Sequence, residues 1–184
     1  DGQVIPGGGP TVKNVTGFDL PRIMVGSLGT LGLLCEAILR TNPIPACTRW
    51  LQSESIDPFA VSSIVLRPSA ILWDGTTTWI ELEDHPVAVD AEQARLAAVA
   101  DVHEVAGPPD LPAHRWSLAP AALRDTAQFG DGPWIASVGV GTVWAAQAQQ
   151  VVTPDRTAQA LAQRVKEQFD PHGRLNPGRT PGVR

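Results

Sequence analysis

Several residue types are scarce in this chain of 184 residues. It has no tyrosine, so no phenol can serve as an acid or base, and it has one methionine. The two cysteines, Cys35 and Cys47, form no CxxC pair and no disulfide framework, which fits a reducing compartment. Four histidines (His85, His103, His114 and His172) lack the spacing of a metal site, so we expect no bound metal.

Charge and long apolar runs are also limited. A net charge of −5 argues against a nucleic-acid role, because little would neutralise phosphates. No apolar run approaches the roughly 20 residues that span a bilayer, so we expect no transmembrane helix. Apolar content of 43% is typical of a globular protein with one core or two small ones.

Residues 19–39 combine a short helix, a glycine-rich turn and an apolar run. Asp19 is a suitable N-cap for a helix over residues 19–25. Glycines at 26, 29 and 32 follow, and such glycines expose backbone N–H groups and let a ligand approach closely, although a tight turn is the alternative. Residues 33–39 are apolar but for Glu36, which predicts a strand buried on both faces.

The pattern over residues 46–105 is regular. It predicts strands at 48–52, 70–73, 77–82 and 102–105, with helices opening at Asp57-Pro58 and spanning 86–100. Asp74-Gly75 is a hairpin signal. The order β-α-β-β-α-β is that of a ferredoxin-like unit, so the expected fold class is α+β with a four-stranded antiparallel sheet.

The remainder is less regular. A strand is expected at 116–118, a short helix at 120–125, and one or two strands at 134–144. The glycines at 139 and 141 indicate a bulge or a close backbone approach, with a nucleotide loop as the weaker alternative. A final helix from Asp155 to Phe169 carries an apolar stripe (Ala158, Leu161, Val165 and Phe169), and its charged residues, including Lys166, are expected to face water.

Two strings resemble a known family. KNVTGFDL at 13–20 followed by GSLGTLG at 26–32, together with FDPHGRLNPGR at 169–179, resembles the FAD-binding (E) subunits of bacterial glycolate oxidases. These belong to the vanillyl-alcohol oxidase/PCMH superfamily. The resemblance implies three parts: residues 1–45 as the second half of a PCMH-type FAD domain, 46–150 as a cap domain with its ferredoxin-like core at 46–105, and 151–184 as a helical tail returning to the FAD domain.

The resemblance also implies that the chain starts inside the FAD domain, without the N-terminal pyrophosphate loop. FAD binding by residues 1–184 alone is therefore expected to be weak, and a protein extended upstream should bind it well. The flavin neighbours that the resemblance implies are Lys13, Asn14, Gly17, Ser27, Gly29, Thr30, Gly32 and Asn176. From composition alone, Lys13 is a solvated side chain, Asn14 a turn residue and Asn176 part of a surface turn.

The implied activity is oxidation of a 2-hydroxy acid such as glycolate by hydride transfer to FAD, in a complex with other subunits and with no activity in this chain alone. The expected location is the cytoplasm, with peripheral attachment to the inner membrane face through partners. The alternative is a non-catalytic assembly subunit, which the lack of a base motif favours. The catalytic residues are not identified.

Overall fold

The computed structural model describes residues 3–9, 19–150 and 155–179, which fall into two compact units. The first unit comprises residues 1–42 and 151–184, and the second comprises residues 43–150. The first unit begins with helix α1 (Leu20–Met24), whose N-cap Asp19 accepts a hydrogen bond from the Arg22 N–H at 3.3 Å. The predicted helix and its cap are confirmed.

The second unit is built on one antiparallel sheet. Its first part contains β1 (Cys47–Ser53), α2 (Val61–Ile64), β2 (Pro68–Trp73), β3 (Thr78–Asp84), α3 (Pro86–Ala97) and β4 (His103–Val105). Strands β5 (His114–Ser117), β6 (Trp134–Ser137) and β7 (Thr142–Ala145) follow, with 3-10 turns at Pro120–Arg124 and Thr126–Phe129 between β5 and β6. The structure is therefore α+β, and the predicted β-α-β-β-α-β order is confirmed.

The sheet is larger than predicted. Its seven strands run in the order β4-β1-β3-β2-β6-β7-β5, and every neighbouring pair is antiparallel. The four antiparallel strands predicted within residues 46–105 are present as neighbours, but they are not a complete sheet, because β6 pairs with β2 and places Leu72 opposite Ser137 and Trp73 opposite Ala136. An edge strand has unpaired N–H and C=O groups, and here the β6–β7 hairpin satisfies those of β2.

Two helices cover one face of the first four strands. Alternation along β1 and β3 points Leu51, Ile80 and Leu82 to this face, where the helices contribute Val61, Val89 and Leu96. All six side chains are at most 2% exposed, and burial of each contributes about 1.5–3 kcal/mol. A second cluster on β5–β7 packs Trp116, Leu123, Phe129 and Val143 together.

The first unit closes with helix α4 (Arg156–Phe169). The Asp155 carboxylate caps it by accepting the Ala158 N–H at 2.8 Å. The predicted apolar stripe is not buried against the described residues, since Leu161 is 60% exposed and Phe169 is 37% exposed. None of the described helices could cross a membrane, and the longest of them, α4, has 14 residues.

The strand predicted at residues 33–39 is wrong. Residues 33–45 have no regular secondary structure, Leu33 and Leu39 are more than 80% exposed, and Cys35 lies on the surface. A strand requires a neighbour to accept and donate its hydrogen bonds, and no described strand pairs with this segment. Val4 and Ile5 are likewise exposed and lie outside regular secondary structure.

Candidate functional site

The glycine loop, defined as residues 26–32, is held by two consecutive turns after α1. The Ser27 N–H donates to the Met24 carbonyl at 3.1 Å, and the Thr30 N–H donates to the Ser27 carbonyl at 3.0 Å. The Thr30 hydroxyl also donates to the Ser27 carbonyl, at 2.6 Å. Thr30 is also completely buried, and Leu31 is only 5% exposed. The hydrogen bonds and this burial together give the loop a defined conformation.

The middle of the glycine loop has left-handed backbone geometry. Leu28 has φ of +52° and Gly29 has φ of +73°. A leucine in this region is strained, and such strain persists only where the surrounding structure enforces it. A Cβ built on Gly29 would meet no atom of the described residues within 4 Å, so this part of the chain leaves the backbone at Gly29 open to an approaching group.

The tail, defined as residues 170–179, is shaped by one carboxylate. Asp170 ends α4, and its two oxygens accept the Arg174 N–H at 2.9 Å and the Leu175 N–H at 2.8 Å. The hydrogen bond from Lys166, followed by the one from the Leu175 N–H, lowers the pKa of Asp170 to about 2. Asp170 is therefore ionised at neutral pH, although it is only 8% exposed.

Lys166 joins the tail to the glycine loop. Its ammonium donates to the Thr30 carbonyl at 2.7 Å, to the Leu175 carbonyl at 2.8 Å and to Asp170 Oδ2 at 2.5 Å. The side chain is 14% exposed. The expectation that Lys166 faces water was wrong, because three oxygens within its own unit replace its hydration.

Asn176 makes the second connection. Its Nδ2 donates to the Leu28 carbonyl at 2.6 Å, and its own backbone is left-handed, with φ of +43°. The two non-glycine residues that have positive φ in the described chain are thus joined by one hydrogen bond. The bond also joins the glycine loop to the tail across 148 residues of sequence.

A groove of about 350 Å³ runs between α4 and the tail. Its lining is mixed: it includes the apolar residues Pro171, Leu175 and Pro177 and the polar residues Gln163, Lys166, Glu167, Asp170, Asn176 and Arg179. The glycine loop does not contribute to this lining. The groove and the open backbone at Gly29 are therefore separate features of the first unit.

The structure brings together five of the predicted flavin neighbours, and the other three lie outside the described residues. Ser27, Gly29, Thr30, Gly32 and Asn176 belong to the glycine loop and the tail. Lys13, Asn14 and Gly17 are not described.

Three of these residues use polar groups within the first unit. The Ser27 N–H is bonded to Met24 in α1 and the Thr30 N–H is bonded to Ser27, so neither is available to a ligand. The side-chain amide of Asn176 does not reach outward, because it is bonded to Leu28.

Sequence reasoning missed Lys166 and Asp170. Their signal was a lysine four residues before an aspartate at the end of a helix, a spacing that puts both side chains on one face. Among the described residues no group of histidine, cysteine, aspartate and glutamate side chains could hold a metal ion.

No protein-family profile matches the chain. Comparison with curated proteins gives the class: the chain is similar to oxidoreductases, and three of them can be named. It is 37% identical over 106 residues to glycolate oxidase subunit GlcE of Escherichia coli strain K12, which covers 54% of this chain and 29% of that protein.

Two further relatives agree. Glycolate oxidase subunit GlcD of Bacillus subtilis strain 168 is 37% identical over 92 residues, covering 46% of this chain and 20% of that protein. D-lactate dehydrogenase of Archaeoglobus fulgidus is 44% identical over 43 residues, covering 23% of this chain and 10% of that protein. The matches thus span less than a third of each relative, and the predicted resemblance to the glycolate oxidase-like family is confirmed.

Proposed function

We infer that this chain is part of an FAD-binding subunit of a glycolate oxidase-like oxidoreductase. In this proposal residues 1–45 are the second half of a PCMH-type FAD domain, 46–150 form the cap, and 151–184 return to the FAD domain. The supporting observation is the hydrogen-bonded contact between the glycine loop and the tail. Both segments carry strings that resemble the family, and Lys166 and Asn176 join them.

The glycine loop has features that suit a flavin. Among the described residues, the N–H groups of Gly29 and Gly32 make no hydrogen bond, and no atom lies within 4 Å of a Cβ built on Gly29. FAD has a hydrogen-bonding edge on its ring system and an anionic pyrophosphate, and unpaired N–H groups can meet either. Lys13, Asn14, Gly17, Ser27, Thr30 and Asn176 remain proposed neighbours of the cofactor.

When bound, FAD supplies the redox chemistry by accepting a hydride from a 2-hydroxy acid. The chain's own residues would bind and orient the cofactor. Lys166, Asp170 and Asn176 are all engaged in hydrogen bonds within the first unit, so none of them is available as a base. That observation favours a second candidate function, a non-catalytic assembly subunit with the same fold.

The names of two relatives also support a subunit role. Both are called glycolate oxidase subunits. We propose that the chain acts in the cytoplasm, together with other subunits, on a small 2-hydroxy acid. In this proposal its partners hold it at the inner face of the membrane. A flavin absorbance spectrum with and without glycolate separates the two candidates. Only in a catalytic subunit should glycolate reduce the flavin and so lower its visible absorbance.

The test of the cofactor is an FAD titration followed by fluorescence quenching. It uses residues 1–184 and, where the gene encodes residues before Asp1, the longer protein. We expect weak binding by residues 1–184, tight binding by the longer protein, and a loss of at least tenfold in Gly29→Val, equal to about 1.4 kcal/mol.

Gly139→Val is the matched control for this titration. Its φ is +86° and a Cβ there also meets nothing within 4 Å, but it lies in the second unit. Full FAD occupancy in Gly29→Val, or no flavin bound by any of these proteins, would contradict the proposal. Tight binding by residues 1–184 would show that the pyrophosphate site also lies within them.

A further inference from the structure

The ammonium group of Lys166 has no hydrogen left for a ligand. A lysine ammonium carries three N–H donors. In this structure they are matched by three acceptors, the carbonyls of Thr30 and Leu175 and the Asp170 carboxylate. A cation saturated in this way and only 14% exposed does not bind an anionic cofactor directly. Its contribution must come through the groups that it holds.

Those groups belong to two segments that are far apart in sequence. Thr30 is in the glycine loop, whereas Asp170 and Leu175 are in the tail, Asp170 at its start as the C-cap of α4 and Leu175 immediately before Asn176. The Asp170 carboxylate in turn fixes the N–H groups of Arg174 and Leu175. Lys166 and Asp170 together therefore define the backbone path of the tail up to Asn176.

The strained backbone lies where these segments meet. Leu28 and Asn176 are both left-handed and are joined by one exposed hydrogen bond, at 2.6 Å. Strained conformations require surrounding contacts that enforce them. Lys166 provides such a contact on each side, since it is bonded to the carbonyls of Thr30 and Leu175, which lie two residues from Leu28 and one residue from Asn176.

We propose that Lys166 is a positioning residue that sets the conformation of the glycine loop for flavin binding without touching the flavin. This inference rests on the proposed function. It predicts that the loop and the tail lose order together when the ammonium is removed. It also predicts that flavin affinity depends on a side chain outside the flavin site.

The first experiment needs no cofactor. Amide hydrogen exchange is measured by NMR on residues 1–184 carrying Lys166→Met, which keeps an unbranched side chain, one atom shorter than lysine, and removes its donors. We expect exchange at the Thr30 and Leu175 amides to rise at least tenfold, with Leu51 in β1 unchanged. The control is Arg164→Met, which removes an exposed cation from the same helix and should change none of the three.

A second variant guards against loss of the fold. Asp170→Asn keeps the shape of the side chain and removes the charge that Lys166 contacts, and it should raise exchange at the same amides. All six tryptophans lie in residues 43–150, so unchanged tryptophan fluorescence shows that the second unit is intact. Unchanged exchange at Thr30 in both variants would overturn the link between the lysine and the loop.

The second experiment measures FAD affinity and the visible circular dichroism of the bound flavin, in whichever of the two proteins in the titration above binds FAD. We expect Lys166→Met to weaken FAD affinity at least tenfold and to alter the visible circular dichroism of the flavin at saturation, with Arg164→Met unchanged. Equal affinity and an equal spectrum in Lys166→Met would overturn the positioning role. If the unsubstituted protein binds no FAD, the proposed function fails, and the exchange experiment still decides whether Lys166 holds the loop.

Discussion

Gly141, in the hairpin between β6 and β7, allows a close approach of two backbone segments. Its φ is +80°, and a Cβ at this position would overlap the Leu118 carbonyl oxygen. The Leu118 N–H donates to the Gly141 carbonyl at 2.8 Å, immediately after β5. The expected close approach is therefore confirmed in the structure, and Gly141→Ala should destabilise the second unit.

The expected cost of Gly141→Ala has three sources. A left-handed conformation costs an alanine roughly 1–2 kcal/mol. Loss of the Leu118 hydrogen bond costs about 0.5–1.5 kcal/mol, and overpacking costs about 1–3 kcal/mol. The free energy of unfolding should therefore fall by about 2.5–6.5 kcal/mol.

Gly139→Ala is the matched control. Gly139 has φ of +86°, and no atom of the described residues lies within 4 Å of a Cβ built there, so only the conformational cost of about 1–2 kcal/mol applies. Urea unfolding followed by tryptophan fluorescence measures both variants, because all six tryptophans are in this unit. Equal losses of stability in the two variants would refute the close-approach argument.

Two further predictions concern the core and the tail. Leu51→Ala should lower the free energy of unfolding by about 2–5 kcal/mol, because Leu51 is fully buried. Its control is Leu66→Ala, at a position 77% exposed, which should change that free energy by less than about 0.5 kcal/mol. Comparable urea midpoints for the two variants would count against the assigned core. The pKa of Asp170 is lowered from 3.8 to about 2, so its contribution to stability is complete above pH 3.8 and is lost as the pH falls through about 2. The NMR shift of the Leu175 amide should report this change, and a midpoint above pH 4 would show that Lys166 does not hold the carboxylate.

The sequence predicted the second unit well because its signals are local. Asp74 illustrates this: its carboxylate accepts the N–H groups of Thr76 and Thr77 at 2.9 and 2.7 Å, forming a turn that four adjacent residues specify. The alternation of apolar and polar residues then predicts which face of β1 and of β3 is buried. The pairing of β6 with β2 was not predictable in this way, because it depends on which strand edge remains unpaired after the first four strands have assembled.

The first unit was predicted less well because its contacts are distant in sequence. An apolar run such as residues 33–39 does not indicate whether a neighbouring strand is present, and here it is exposed. A charged residue on an amphipathic helix is ordinarily assigned to water, which is why Lys166 was missed. Its bond to Thr30 joins residues 136 positions apart, and no local pattern contains that information.

The same separation has a consequence for the order of folding. The second unit is continuous in sequence, whereas the first is made from both ends of the chain and is joined through Thr30–Lys166 and Leu28–Asn176. During synthesis, residues 43–150 can fold as soon as they leave the ribosome, since domains fold as units. The glycine loop must wait for the last segment to be translated, so a ribosome stalled before Lys166 would carry a folded sheet and an incomplete loop.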